Sequence, residues 1–156
     1  TLSLHDALPI CTEISAHEIW TLFEKTYVDI KNHHYQTKHY QLSDINGTQI
    51  IELDIEIEGE IQRLRGEGNG PISAMLNALQ LPIDVVNYEE RSISSGANAK
   101  ALALIELQVK GTGKSAFGAG VHDNIVTSSI DAIIACTNRL IEQGVLTTDQ
   151  VVAAAV

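Results

Sequence analysis

The sequence is short of almost everything that announces chemistry. Its 156 residues include two cysteines, Cys11 and Cys136, too few for a disulfide framework. They fit a reducing cytoplasm, where a buried free thiol acts as a small hydrophobe. Ten Lys and Arg stand against twenty Asp and Glu, a formal charge of −10. A nucleic-acid partner needs clustered Lys and Arg against the phosphate backbone, so that class is excluded. Apolar residues make up 44% of the chain, yet no uninterrupted stretch approaches the roughly 20 residues of a membrane helix. A soluble protein with no membrane partner is expected.

The catalytic inventory is equally thin. Serines are plentiful, but no G-x-S-x-G elbow holds one. No H-x-H or H-E-x-x-H pair offers a metal site. His33 and His34 have no Cys, Asp or Glu at ligand spacing and read as solvated residues at a helix end. His122 and Asp123 are adjacent, so they point apart and make a poor acid/base pair. They read instead as a turn into a helix, with Asp123 or Asn124 as its cap. No catalytic residue, metal ligand or cofactor is assigned to this chain.

Length and pattern give the organisation: one ordinary domain plus a small appendage. TLSLHDALPI, residues 1–10, joins poorly to the residues after it and resembles translated sequencing-adapter read-through. We set it aside as non-native and expect the gene to begin further upstream. Residues 11–34 contain a short helix, with Ser15 and Glu18 as a capping box. Ile19, Leu22, Phe23, Thr26 and Ile30 follow at helical spacing. Residues 31–39 read as a linker, 35–144 as the main domain and 145–156 as a flexible, weakly helical tail.

In the main domain the period changes to two. Asn46-Gly47 signals a hairpin, and Ile51, Leu53, Ile55 and Ile57 alternate with Glu52, Asp54, Glu56 and Glu58. Gly59-Glu60 turns the chain back through Ile61 to Gly68, and Pro71 opens a helix. The order then recurs, with strands over 83–92, 99–110 and 114–120 and a helix from Asn124 to Glu142 that stops at Gly144. Fold class is therefore α+β: two β-β-β-α repeats about a pseudo-twofold axis, preceded by a short linker helix. We expect the sheets together and the helices over them.

Each repeat carries glycines at alternate positions before its helix: Gly66, Gly68 and Gly70, then Gly118 and Gly120. RGEGNGPISAML looks like a phosphate loop, but no Lys-Ser/Thr follows the glycines. A dinucleotide fold would also need a parallel βαβ unit. Glycine here is expected to let the backbone approach a ligand. Ala99, Ala101 and Ala103 share one strand face, which either leaves an apolar trough or seats a helix closely. A trough bordered by helix N-termini suits a small molecule with an apolar part and a carboxylate.

GEGNGPISAMLNAL, DVVNYEERSISSGANAKALALIEL and FGAGVHDNIVTSSIDAIIACTNRL together resemble the C-terminal regulatory domain of 2-isopropylmalate synthase. EISAHEIWTLFEKTY is similar to the end of the helical linker before that domain. The match runs over roughly residues 13 to 143, with G-N-G-P and Y-x-E-x-x-x-S-x-G its most specific parts. The resemblance implies a parent transferase that condenses acetyl-CoA with 2-oxoisovalerate in a divalent-metal TIM barrel, toward leucine. It implies leucine as feedback inhibitor and a homodimer formed through this domain. Carried over by motif, the effector side chain would meet Ile72, Ser73, Val85, Tyr88, Ser92, Ala99 and Ala101. Its ammonium and carboxylate would lie near Asn69, Gly70, Val121 and His122. Ser73 and Ser92 stand where the family pattern has alanine, and His122 where a small residue is common. Val85 and Tyr88 share a face only if a bulge lies between them. The alternatives are an isoleucine-responsive domain of a citramalate synthase and a purely structural dimerisation module.

Overall fold

A computed structural model describes residues 13–30 and 33–147. The TLSLHDALPI segment, Cys11 and residues 148–156 of the expected tail lie outside the described residues.

Local sequence explains each element. Ser15 caps helix α1 (Ala16–Phe23): its hydroxyl accepts the Glu18 N–H at 3.2 Å, and the Glu18 carboxylate accepts the Ser15 N–H at 2.8 Å. One π-helical turn, Glu24–Val28, extends it. Strands β1 (Tyr35–Ile45) and β2 (Thr48–Ile57) meet at Asn46-Gly47, whose φ values of 54° and 83° suit a tight hairpin. The next turn falls one residue earlier than expected, on Glu58-Gly59 at φ 48° and 85°, because β3 (Glu60–Gly68) already starts at Glu60. Helix α2 (Pro71–Leu79) then closes the first unit.

The second unit repeats the order as β4 (Ile83–Ser92), β5 (Ala101–Val109), β6 (Ser115–His122) and α3 (Ile125–Glu142). Strand β5 begins two residues later than expected, leaving Ala99 in the preceding turn, where its N–H donates to the Gly96 carbonyl at 3.2 Å. Both sheets are antiparallel, in the orders β1-β2-β3 and β4-β5-β6. Gly144, at φ 68°, ends α3 as expected. Val145 and Leu146 both donate their N–H groups to the Leu140 carbonyl. Leu146 is buried, so the chain stays docked at least that far.

One expectation about layers fails. The helices are interior and the sheets are outside. Helix α3 lies on β5 and β6 and also touches β1 and α2, while α2 lies on β2 and β3. The reason is visible in α3, which buries residues around most of its circumference, Ile130, Ile133, Cys136 and Leu140 among them. A helix apolar nearly all round has to be enclosed. Ile51, Leu53 and Ile55 from one sheet and Ala103, Ile105 and Leu107 from the other join these helices in a single core. Each of the large aliphatic side chains contributes about 1.5–3 kcal/mol by burial. The sheets' outer faces differ. That of the first carries Glu52, Asp54 and Glu56, whereas that of the second carries Leu102, Leu104 and the half-exposed Phe117.

Candidate functional site

The alternate glycines are helix seats. A Cβ on Gly66 would lie 2.8 Å from the Cα of Ala78, and one on Gly68 would lie 2.6 Å from the Ala74 nitrogen. In the second unit, one on Gly118 would lie 2.6 Å from the Ala132 carbonyl oxygen, and one on Gly120 would lie 2.8 Å from the Ala132 nitrogen. None of the four has positive φ. Their absent side chains let the following helix rest its backbone on the third strand of its sheet. The expectation that these glycines approach a ligand is therefore corrected for all four. Gly70 is different. It is the N-cap of α2, with extended backbone (φ −159°) and open space where its Cβ would be.

The alanine stripe resolves in the same way at its Ala103 end. Ala103 pairs with Gly120 and is fully buried, in a core cluster that includes Ala132 and Cys136. Close helix packing, not a trough, is what small residues achieve there. Cys136 behaves as expected of a buried thiol: its Sγ donates to the Ala116 carbonyl at 3.0 Å, and burial pushes its pKa up to about 12.

Around Gly70 the structure gathers the first part of the expected effector set. Asn69, Gly70, Ile72, Ser73 and Val85 line one groove of about 760 Å³, with Leu76, Asp84 and Lys110 on its walls. Among the described residues no side chain caps the N-terminus of α2. The first N–H groups of that helix thus face the groove's end of the molecule without a side-chain acceptor, where the helix dipole favours an anion.

A second group gathers at the opposite end of the second sheet. Ser92 pairs with Ala101, and Ala101 pairs with His122, so the three lie in a row across β4, β5 and β6, with Val121 beside them. Here the helix supplies its own acceptor. Asn124, not Asp123, is the cap, and its side chain accepts the Val126 and Thr127 N–H groups at 2.9 and 3.1 Å. His122 Nδ1 accepts the Asn124 N–H at 2.9 Å.

Val85 and Tyr88 are reconciled by a bulge, since the register with β5 slips between Val85 and Asn87. The two then face Leu107 and Ile105 on one side of the sheet, as expected. The Tyr88 hydroxyl is engaged with Ser129 Oγ at 2.7 Å. The set as a whole does not converge within one chain. Seven residues of strand separate Val85 from Ser92, roughly 20 Å, several times the length of an amino acid.

Two features escaped the sequence. His34 is not a solvated residue. Its Nδ1 meets Glu58 Oε1 at 2.7 Å and its Nε2 meets Glu142 Oε1 at 2.8 Å, tying the β2–β3 turn to the end of α3. Burial opposes its protonation, but the hydrogen bonds and charges of Glu142 and Glu58 outweigh this and raise its pKa. Glu142 lies 108 residues away, so no local spacing signals the clasp. The other is a groove of about 310 Å³ on the outer face of the second sheet, where Phe23 and Tyr27 meet Leu104 and Phe117. Among the described residues no group of three His, Cys, Asp or Glu has the arrangement of a metal site. None of the described helices is long and apolar enough to cross a membrane.

Twinned βββα units, helices inside and one open helix corner at the surface, define an α+β module of two structural repeats. The chain belongs to the LeuA allosteric (dimerisation) domain family, whose model matches residues 13–141. It is 42% identical over 132 residues to the 2-isopropylmalate synthase of Azoarcus sp. (strain BH72), covering 85% of this chain and 23% of that protein. It is 39% identical over 127 residues to the 2-isopropylmalate synthase of Paraburkholderia phytofirmans (strain DSM 17436 / LMG 22146 / PsJN), covering 81% of this chain and 22% of that one. The chain thus spans about a quarter of the length of these relatives.

Proposed function

We propose that this chain is the leucine-binding, feedback-regulatory part of a cytoplasmic 2-isopropylmalate synthase and works as a homodimer. Its parent would condense acetyl-CoA with 2-oxoisovalerate in a divalent-metal barrel outside this sequence, and this part would do no chemistry alone. The observation that carries the reading is the groove at Gly70. Five of the eleven expected residues line it, it is apolar at Ile72, Leu76 and Val85, and it ends at a helix start with no side-chain cap. Those features match an amino acid with a branched aliphatic side chain and a carboxylate.

Of the remaining residues, Tyr88 does not line this groove, and Ser92, Ala99, Ala101, Val121 and His122 lie toward the far end of the second sheet, too distant to touch the same molecule in one chain. A dimer that sets the first corner of one protomer against the second corner of its partner would complete the set. Leucine would then favour one pairing of the domains over another, which is the content of an allosteric claim.

Calorimetry of the dimeric chain with leucine tests the reading, with isoleucine as the competing titrant. Saturable heat with leucine supports it. Stronger heat with isoleucine transfers the reading to a citramalate synthase. No heat from either at millimolar concentration, with the chain folded and dimeric, sinks it in favour of a purely structural pairing module.

A further inference from the structure

The outer face of the second sheet carries a slot whose floor is two rows of side chains set by strand register. In one row Asn87 of β4, Glu106 of β5 and Phe117 of β6 lie side by side; in the next, Glu89 lies beside Leu104. The π-helical turn packs against β6. It brings up a wall of two rings, Phe23 and Tyr27, with centroids 5.4 Å apart. Floor and wall enclose the groove of about 310 Å³. Phe117 is 50% exposed there, although large aromatic rings are normally covered. Aromatic surface left open inside a concave groove of this size marks a place for a ligand.

The polar groups of the slot gather on its β4 side, and most of them are acceptors. The Ser115 hydroxyl donates to Glu106 Oε1 at 2.6 Å, and Arg91 donates to Glu89 Oε2 at 2.8 Å. The second oxygen of each carboxylate has no partner among the described residues, and neither has the Asn87 carboxamide. Arg139, the other cation nearby, is engaged with the Tyr27 ring and the Phe117 carbonyl. Rings on one side therefore face two carboxylates and a carboxamide on the other, in a chain of net charge −10. None of the expected effector residues lines this slot.

We propose that the slot binds a small aromatic ring that carries a primary ammonium on a short arm and no carboxylate. The ring lies against Phe117, Leu104, Phe23 and Tyr27, and the ammonium donates to Glu106, Glu89 and Asn87 Oδ1. The negative faces of the same rings also favour the cation. An α-amino acid fits poorly, since its own carboxylate would face Glu89 and Glu106. The site is therefore independent of the groove at Gly70.

The test is a titration of the full chain with phenethylammonium chloride, with sodium chloride at equal ionic strength as the blank. Heat and tryptophan fluorescence are the two readouts, because Trp20 is the one tryptophan in the chain and stacks on Phe23 at 5.4 Å. Saturable heat is expected, with a fluorescence change of the same midpoint. Phe117→Ala loses the ring contact and Glu106→Gln loses the charge, and each weakens binding about tenfold. Phe117 is half-exposed and Glu106→Gln keeps the side-chain shape, so both variants melt close to the parent chain. Phenylalanine, which adds a carboxylate, and butylammonium, which lacks the ring, each bind about tenfold more weakly than phenethylammonium. Absence of saturable heat above the blank overturns the proposal. So does unchanged affinity in either variant, or phenylalanine binding as tightly as phenethylammonium.

Discussion

The two units share a plan and differ at both ends of their helices. Glycine seats place Ala132 of α3 where Ala74 of α2 lies, and Cys136 where Ala78 lies. From that common footing α3 runs about a turn further back, to a start capped by Asn124, whereas α2 starts at the uncapped Gly70. In the other direction α2 stops at Gln80, which adopts a left-handed conformation at φ 53°. The corresponding residue of α3 is Asn138, still helical and holding both backbone polar groups of Tyr35. The extra length makes α3 the pillar between sheets and leaves α2 with an open corner. Repetition supplies the scaffold, and the departures from repetition supply the open corner on which the proposed effector site rests.

Shared footing is the part easiest to break. Gly66→Ala and Gly118→Ala each force a methyl group into a helix backbone, and each is expected to lose about 2–3 kcal/mol in denaturant unfolding. Near-equal losses would support equivalent seats; a neutral change at either position would break the equivalence. The far ends should respond unequally. Asn138→Ala leaves a buried N–H and carbonyl without partners and should cost about 2–4 kcal/mol, while Gln80→Ala stays within ~0.5 kcal/mol.

At the near ends the contrast bears on the proposed effector site. Asn124→Ala removes a cap and is expected to cost about 1 kcal/mol in the same unfolding measurement. Gly70→Asp should gain a few tenths of a kcal/mol by capping α2. Its carboxylate would also occupy the open N-terminus, so calorimetry should then show leucine binding lost without loss of fold. Retained leucine affinity in a stable Gly70→Asp chain would remove the groove from the proposed site.

The smallest expected effect concerns His34. Its folded-state pKa is raised above the ordinary 6.5, so the clasp stabilises fully below that value and its contribution fades as pH climbs through the folded-state pKa. With partly exposed partners the contribution stays under about 1 kcal/mol. Comparing thermal melts of the parent chain and His34→Gln from about pH 5.5 to about pH 8.5 checks it. The two curves should separate at the acid end and converge at the alkaline end.

Much of the fold was legible because its signals are local. The run from Ile51 to Ile57, the Asn46-Gly47 hairpin and the Ser15 capping box depend on neighbours within a few residues. The glycine pairs were legible as a repeat, but their purpose was not. Alternate glycine says only that a Cβ is forbidden, and whether a ligand or a helix forbids it depends on what folds over the strand. The interior position of α3 follows from how few of its faces are polar, which the β-β-β-α order alone does not convey. Of the candidate site, motif resemblance supplied a proposed set, while the separation of Val85 from Ser92 along β4 emerges only from the register with β5. The His34 clasp joins residues brought together by the whole topology, which no spacing rule reaches.

The glycine seats also have a mechanical consequence. A helix resting on strand backbone has no cushion of side chains to deform, so it cannot slide or roll without lifting off its sheet. Each unit is stiff along its own strand–helix contact. Compliance is left to the joint at the π-helical turn, where Tyr27 is held beneath the Arg139 guanidinium at 4.5 Å and against Phe23 at 5.4 Å. Tilted rings and a cation can pivot on one another while staying in contact. Any displacement of the domain would reach α1 as a swing about that bearing, not as a change of shape within either unit.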